Sequence, residues 1–262
     1  PFGVAFGRCA LGALTLFLYA QFKGIDIPRD PKIWFRLWCV SLLLNVIPGV
    51  LFALAQTKVT SILAGIINAT TPLMTLLVMI SLFREEKISR SQIIGLALGA
   101  IGIATVFGVW NGFGSNPGWA VCALLVAVLC YGISFPFTRK FVLPLQLPSE
   151  TMAAIQLISG SATLLPFYLF DGISNDNYSI IPILSMFALG IFGSGFAYIW
   201  NFKVIKAAGS AIASTVTYIT PLVAVVMGLI FLHEKVTWNE PLGGLIVLLG
   251  AAISQNRLKF IK

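Results

Sequence analysis

The sequence predicts an all-α polytopic membrane protein made of two copies of one helical unit inserted in opposite directions. Three observations carry this. Of 262 residues, 58% are hydrophobic and only 10% charged, whereas a soluble domain averages about 25% charged. The apolar residues fall into runs of about 20, the length at which a helix crosses the hydrocarbon of a bilayer. Finally, Thr71-Pro72-Leu73, mid-way along one run, returns as Thr220-Pro221-Leu222 mid-way along another, an offset of 149 residues. Both runs end in an acidic turn, Glu86-Lys87-Ile88-Ser89 and Glu234-Lys235-Val236-Thr237, where the offset is 148.

Taken in order, spans are expected over 2–22, 34–55, 61–83, 91–110, 119–139, 151–170, 180–202, 209–232 and 240–256, nine in all, joined by loops too short for a soluble domain. The first is no signal peptide, because no basic region precedes it and Arg8 interrupts it. Lys and Arg concentrate on one side: the loops after the odd-numbered spans up to the seventh, with the C-terminal tail, carry fourteen, and the other loops carry only Lys58 and Lys235. By the positive-inside rule the tail faces the cytoplasm. The +8 net charge is thus an orientation signal and a lipid anchor, not a nucleic-acid surface. A bacterial inner membrane is the expected location.

The two proline runs lie five spans apart, an odd number, so they cross in opposite directions and the copies are inverted. The copies are placed at 1–112 and 118–257. The second opens on the span at 119–139, whose counterpart falls upstream of Pro1; a tenth span is expected there. Ser89-Arg90-Ser91-Gln92 and Thr237-Trp238-Asn239-Glu240 fit the capping box that opens a helix. Gly95 and Gly102 match Gly243 and Gly250, small residues that let helices approach closely in lipid. The fourth and ninth spans are therefore read as structural supports, with a homodimer contact as the lesser use of those faces.

Pro72 and Pro221 have no N–H to give and clash with the carbonyl four residues back, that of Asn68 and of Thr217. In lipid a freed carbonyl needs a partner within the protein. Both runs are expected to kink near mid-membrane and leave that carbonyl open, with the two bends meeting around one solute; broken helices at a repeat interface hold substrates in many transporters. A packing kink, with a neighbouring hydroxyl on the carbonyl, is the rival reading.

The kink, the acidic-basic turn and the glycine-patterned span, all duplicated, resemble the EamA-type transporters of the drug/metabolite transporter superfamily over essentially the whole chain. The resemblance implies ten-helix carriers of two inverted five-helix halves that move amino acids, other metabolites or drugs, often outward, coupled to protons or exchange. This sequence departs from the pattern by lacking the first span, which in that family helps to line the central cavity.

Arg8 is the only charged residue well inside an expected span, and charge there is a functional-site hypothesis by default. Its rival is snorkelling to the headgroups. Its partner in the other copy is Gln156 or a neighbour. Mid-span polar and aromatic residues complete the candidate substrate site: Asn45, Asn68, Thr71, Tyr131, Gln156, Tyr198, Thr217 and Tyr218, with Pro72 and Pro221 as the kinks. Glu86, Glu234 and the sole histidine, His233, lie at span edges and read as turn structure. Asn177-Tyr178-Ser179 is a glycosylation sequon, relevant only in a secretory-pathway host. Trp34, Trp110, Trp119 and Trp238 sit at span ends as interface anchors. Cys9, Cys39, Cys122 and Cys130 have no metal or disulfide spacing. No cofactor, no metal and no enzyme activity are expected, since paired carboxylates within the bilayer are missing. A small-molecule substrate and membrane lipids are the expected partners. The alternative to a carrier is a non-transporting scaffold or a lipid flippase on the same fold.

Overall fold

The computed structural model describes residues 2–83, 90–107, 117–170, 180–230 and 237–254. Glu86, Trp110, Asn177, His233 and Glu234 lie outside them. Nine helical segments occur among the described residues: α1 (Phe2–Lys23), α2 (Pro31–Ala55), α3 (Ser61–Phe83), α4 (Arg90–Phe107), α5 (Gly118–Leu145), α6 (Ser149–Phe170), α7 (Ile180–Ala208), α8 (Ser210–Ile230) and α9 (Asn239–Ser254). All but α4 and α9 are long and apolar enough to cross a membrane, which makes seven candidate spans. In α4 and α9 the apolar stretch is shorter, Ile93–Val106 and Asn239–Ile253.

The chain folds as two units. The first comprises Pro1–Ala53 and Phe137–Gly209, and the second Leu54–Pro136 and Ser210–Lys262.

In the first unit α1 buries a stripe of mostly small residues, Ala5, Cys9, Gly12, Ala13, Leu16 and Ala20, the spacing of one helix face. That face lies against α6. Phe2 stacks on Phe167 and Phe6 on Tyr168, at 5.8 and 4.9 Å between ring centres, while Gly12 sits beside Leu157. Numbers rise along one helix as they fall along the other, so the pair is antiparallel. Charged side chains secure the ends of the unit: Lys203 pairs with Glu150 at 2.8 Å, and Arg36 donates to the Phe141 carbonyl at 2.9 Å. Asp30 caps α2 by accepting from the Lys32 N–H, with Pro31 in the first turn, where its missing N–H costs nothing. The unit ends at Gly209, whose φ of 83° and ψ of 174° are open only to glycine without strain.

In the second unit α4 and α9 are packed backbone to backbone. A Cβ placed on Gly102 would lie 2.7 Å from the Val247 nitrogen and 2.9 Å from the Gly243 oxygen. One placed on Gly250 would lie 2.8 Å from the Gly99 nitrogen and 2.7 Å from the Gly95 oxygen. Shifting either contact by the sequence offset of 148 produces the other. The seam is therefore self-complementary, as in a two-fold interface, and its helices are antiparallel. The close approach expected of these glycines is present. At its end the Asn239 amide donates to the Val106 carbonyl at 2.7 Å, satisfying one of the last carbonyls of α4. One arm of the expected capping box at Thr237 forms too, its N–H donating to Glu240 Oε2 at 3.2 Å. Its counterpart at Ser89 lies outside the described residues.

Gly102→Val should force α4 and α9 apart and cost about 1–3 kcal/mol by overpacking. Gly118→Ala, where no described residue lies within 4 Å, should stay within about 0.5 kcal/mol of the parent. Denaturant unfolding in detergent micelles checks both.

Candidate functional site

Four of the expected site residues meet in the first unit. Arg8, half-buried on α1, donates from Nε to Ser194 Oγ at 3.3 Å and from Nη2 to the Tyr198 hydroxyl at 3.2 Å. The Tyr198 hydroxyl in turn donates to the Leu44 carbonyl at 3.5 Å. On the other arm Gln156 Nε2 donates to Asn45 Oδ1 at 2.5 Å. Asn45 is 1% exposed, and Gln156 and Ser194 are 0% exposed. Among the described residues Ser41 Oγ, Asn45 Nδ2 and Gln156 Oε1 are buried without a partner at hydrogen-bond geometry, an arrangement that costs about 1–3 kcal/mol for each group left unsatisfied.

The backbone explains why these groups can reach one another. Residues Leu42–Val46 of α2 and Ile191–Phe196 of α7 are wound as π-helical turns. Such turns are rare, often occur at functional sites and interrupt the regular hydrogen-bond ladder, which leaves carbonyls such as that of Leu44 available. The two turns begin 149 residues apart, and Asn45 and Ser194 are separated by that same number. Arg8 and Gln156 differ by 148. The Arg8–Ser194 and Gln156–Asn45 bonds are thus equivalent contacts, one ionic and one made by two amides. Ser194 was not among the expected site residues. Its only signal is a hydroxyl between two glycines, Gly193 and Gly195, in an otherwise apolar run.

The other expected residues belong to the second unit. There α3 breaks: its first half ends at Asn68, and the next helical stretch begins at Thr71 with Pro72 behind it. The Asn68 carbonyl is not open, contrary to expectation. It accepts from Thr71 Oγ1 at 2.7 Å, and Thr70 Oγ1 covers the Ile67 carbonyl in the same way. In hydrocarbon the nearest hydroxyl is the cheapest partner for a freed carbonyl. In α8 the turn before the second proline, Thr215–Tyr218, tightens to a 3₁₀ helix, and Thr217 Oγ1 donates to the Ser214 carbonyl at 2.8 Å. The two breaks touch: Asn68 Nδ2 donates to Thr220 Oγ1 at 3.3 Å, and Gly65 lies beside Ala224 and Pro221. Tyr131, on α5, is partly buried, and its carbonyl accepts from Ser134. The Tyr218 side chain lies outside the described part of the structure.

The EamA-like transporter family matches residues 1–108 and 118–255. The chain belongs to that family. Curated relatives of this EamA-like protein include the uncharacterized transporter YoaV of Bacillus subtilis, 25% identical over 93% of this chain and 83% of the relative. The uncharacterized inner membrane transporter YedA of Escherichia coli is 27% identical over 87% of this chain and 72% of its own length. Protein PecM of Dickeya dadantii is 22% identical, over 89% and 77%. One crystal structure superposes with a TM-score of 0.70 at 17% identity, covering 99% of this chain and 88% of that one, a likeness of fold alone. A multi-pass membrane protein of transporter type is the result.

Asn45→Ala should strand the Gln156 amide in the core and cost about 1–3 kcal/mol, whereas Asn45→Leu with Gln156→Leu should recover most of that loss. Unfolding midpoints of the two variants and the parent in one detergent check it.

Proposed function

We propose that this EamA-like protein is a carrier that moves a small organic solute across the membrane by alternating access, with the first-unit cluster and the two helix breaks as its solute-binding groups. The observation that carries the reading is Arg8, a cation within a candidate span, held by Ser194 and Tyr198 rather than extended to a headgroup. A charge at such depth is expensive and marks substrate or ion pathways. The amide pair Asn45–Gln156 supplies orienting donors and acceptors of the kind that pockets for small molecules use. Within the second unit, Asn68, Thr71, Tyr131, Thr217 and Tyr218, with the kinks at Pro72 and Pro221, are proposed as further solute-contacting groups.

Inverted repeats at 1–112 and 118–257 are part of this proposal. Antiparallel pairing of offset-matched helices, α1 with α6 and α4 with α9, supports it, as does the equivalence of the Arg8–Ser194 and Gln156–Asn45 bonds. The fourteen-to-two distribution of Lys and Arg supports a cytoplasmic C-terminal tail, and the inner membrane is proposed from the likeness to YedA. Outward transport coupled to protons or to exchange is the mode proposed from the family.

Reconstituted vesicles screened with amino acids, nucleosides and cationic drugs, with and without a pH gradient, should show flux of at least one solute. Arg8→Gln should lower that flux about tenfold, the loss of one charge-assisted contact, with assembly intact. Folded protein with no flux of any solute would favour a scaffold. Pro221→Ala and Pro72→Ala should straighten the breaks and slow flux more than they lower membrane insertion. Unchanged flux in both would remove the breaks from the mechanism.

A further inference from the structure

We propose that the first unit carries a phospholipid site selective for a headgroup with both a phosphate and a primary ammonium, as in phosphatidylethanolamine. Two grooves meet on the flank of the unit, sharing Trp34 and Ile158 as walls. One, of about 480 Å³, is formed by the end of α1 and the turn into α2 and includes Gln21, Asp26 and Arg29. The other, of about 450 Å³, runs between α2 and α6 and is walled mainly by Trp34, Phe35, Trp38 and Ala162.

Their depth follows from the helices. Trp34 lies in the first turn of α2, its indole N–H bonded to the Pro28 carbonyl at 2.8 Å, the position of an aromatic anchor at the membrane–water boundary. Trp38 is one turn further in, about 6 Å along the axis, and its indole N–H is satisfied by Thr163 at 3.0 Å. The polar groove therefore sits at headgroup level and the apolar one at the level of the acyl chains.

Charge decides the headgroup. Asp26 and Arg29 both line the polar groove and both are exposed. Neither side chain has a hydrogen bond or ion pair with any described residue, although they share the same cleft. A ligand that brings an anion and a cation a few bonds apart satisfies both. A lipid with phosphate alone leaves the Asp26 carboxylate facing a like charge, and a quaternary ammonium offers it no N–H.

The test reconstitutes the full chain in vesicles of equal palmitoyl-oleoyl phosphatidylethanolamine, phosphatidylglycerol and phosphatidylcholine, releases it in mild detergent and weighs it by native mass spectrometry. One phosphatidylethanolamine should be retained about fivefold over either other lipid, a difference of about 1 kcal/mol. Asp26→Asn with Arg29→Gln should abolish the preference. Ala162→Trp, which fills the apolar groove, should reduce retention of all three lipids. Circular dichroism and elution volume matched to the parent separate these effects from unfolding. Equal retention of the three lipids, a preference for phosphatidylglycerol, or an unchanged preference in the double loop variant would each overturn the proposal. None of these readings depends on whether the protein transports a solute.

Discussion

Every polar group that enters the hydrocarbon must find its partner inside the chain. That constraint accounts for the local detail better than propensity does. Pro72 frees the Asn68 carbonyl, and the Thr71 hydroxyl covers it at 2.7 Å. The π-helical turn of α2 leaves the Leu44 carbonyl available, and the Tyr198 hydroxyl reaches it. Arg8 lies where its charge is expensive, and two hydroxyls from α7 hold it. Asn239 closes the end of α4. In each case the polar group that breaks a regular helix sits within reach of a hydroxyl, amide or guanidinium from the same unit.

The same constraint makes the incomplete satisfaction at Ser41, Asn45 and Gln156 informative. Three polar atoms buried without partners among the described residues are tolerated where the rest of the packing outweighs them, and such groups in native proteins call for an explanation. Here they adjoin the cluster around Arg8, a cation within a candidate membrane span. The two arms of that cluster are equivalent in position but different in chemistry: arginine and serine on one side, glutamine and asparagine on the other. Tyr198 adds to the asymmetry, since the residue 149 positions earlier is Gly49. At positions matched by the sequence offset, one arm carries a charge and the other neutral amides.

Much of this was legible in the primary structure because proline, glycine and buried charge act locally. The paired prolines predict irregular winding, and α3 is interrupted and α8 tightens to a 3₁₀ turn just before them. The spacing of Gly95, Gly102, Gly243 and Gly250 predicts close approach, and α4 and α9 meet there with their backbones in contact. Arg8 and Gln156 stand out as matched polar residues and do belong to one cluster. Ser194 was missed because a single hydroxyl between glycines resembles ordinary interhelical hydrogen bonding. The open carbonyl at Asn68 was mistaken because whether a threonine turns its hydroxyl back or outward depends on its rotamer, which no sequence pattern specifies.

What the sequence determined alone was membrane class and the places where helices depart from regular winding, since these follow from composition and the covalent limits of proline. Which helix faces which neighbour was decided by tertiary packing. Hydropathy cannot make that choice, because lipid and protein interior are equally apolar. The most apolar stretch of α7 has a mean hydropathy of 2.0 and is 17% buried, while that of α3 has 1.8 and is 61% buried. Only the fit of side-chain volumes between helices, glycine against backbone and ring against ring, separates the two.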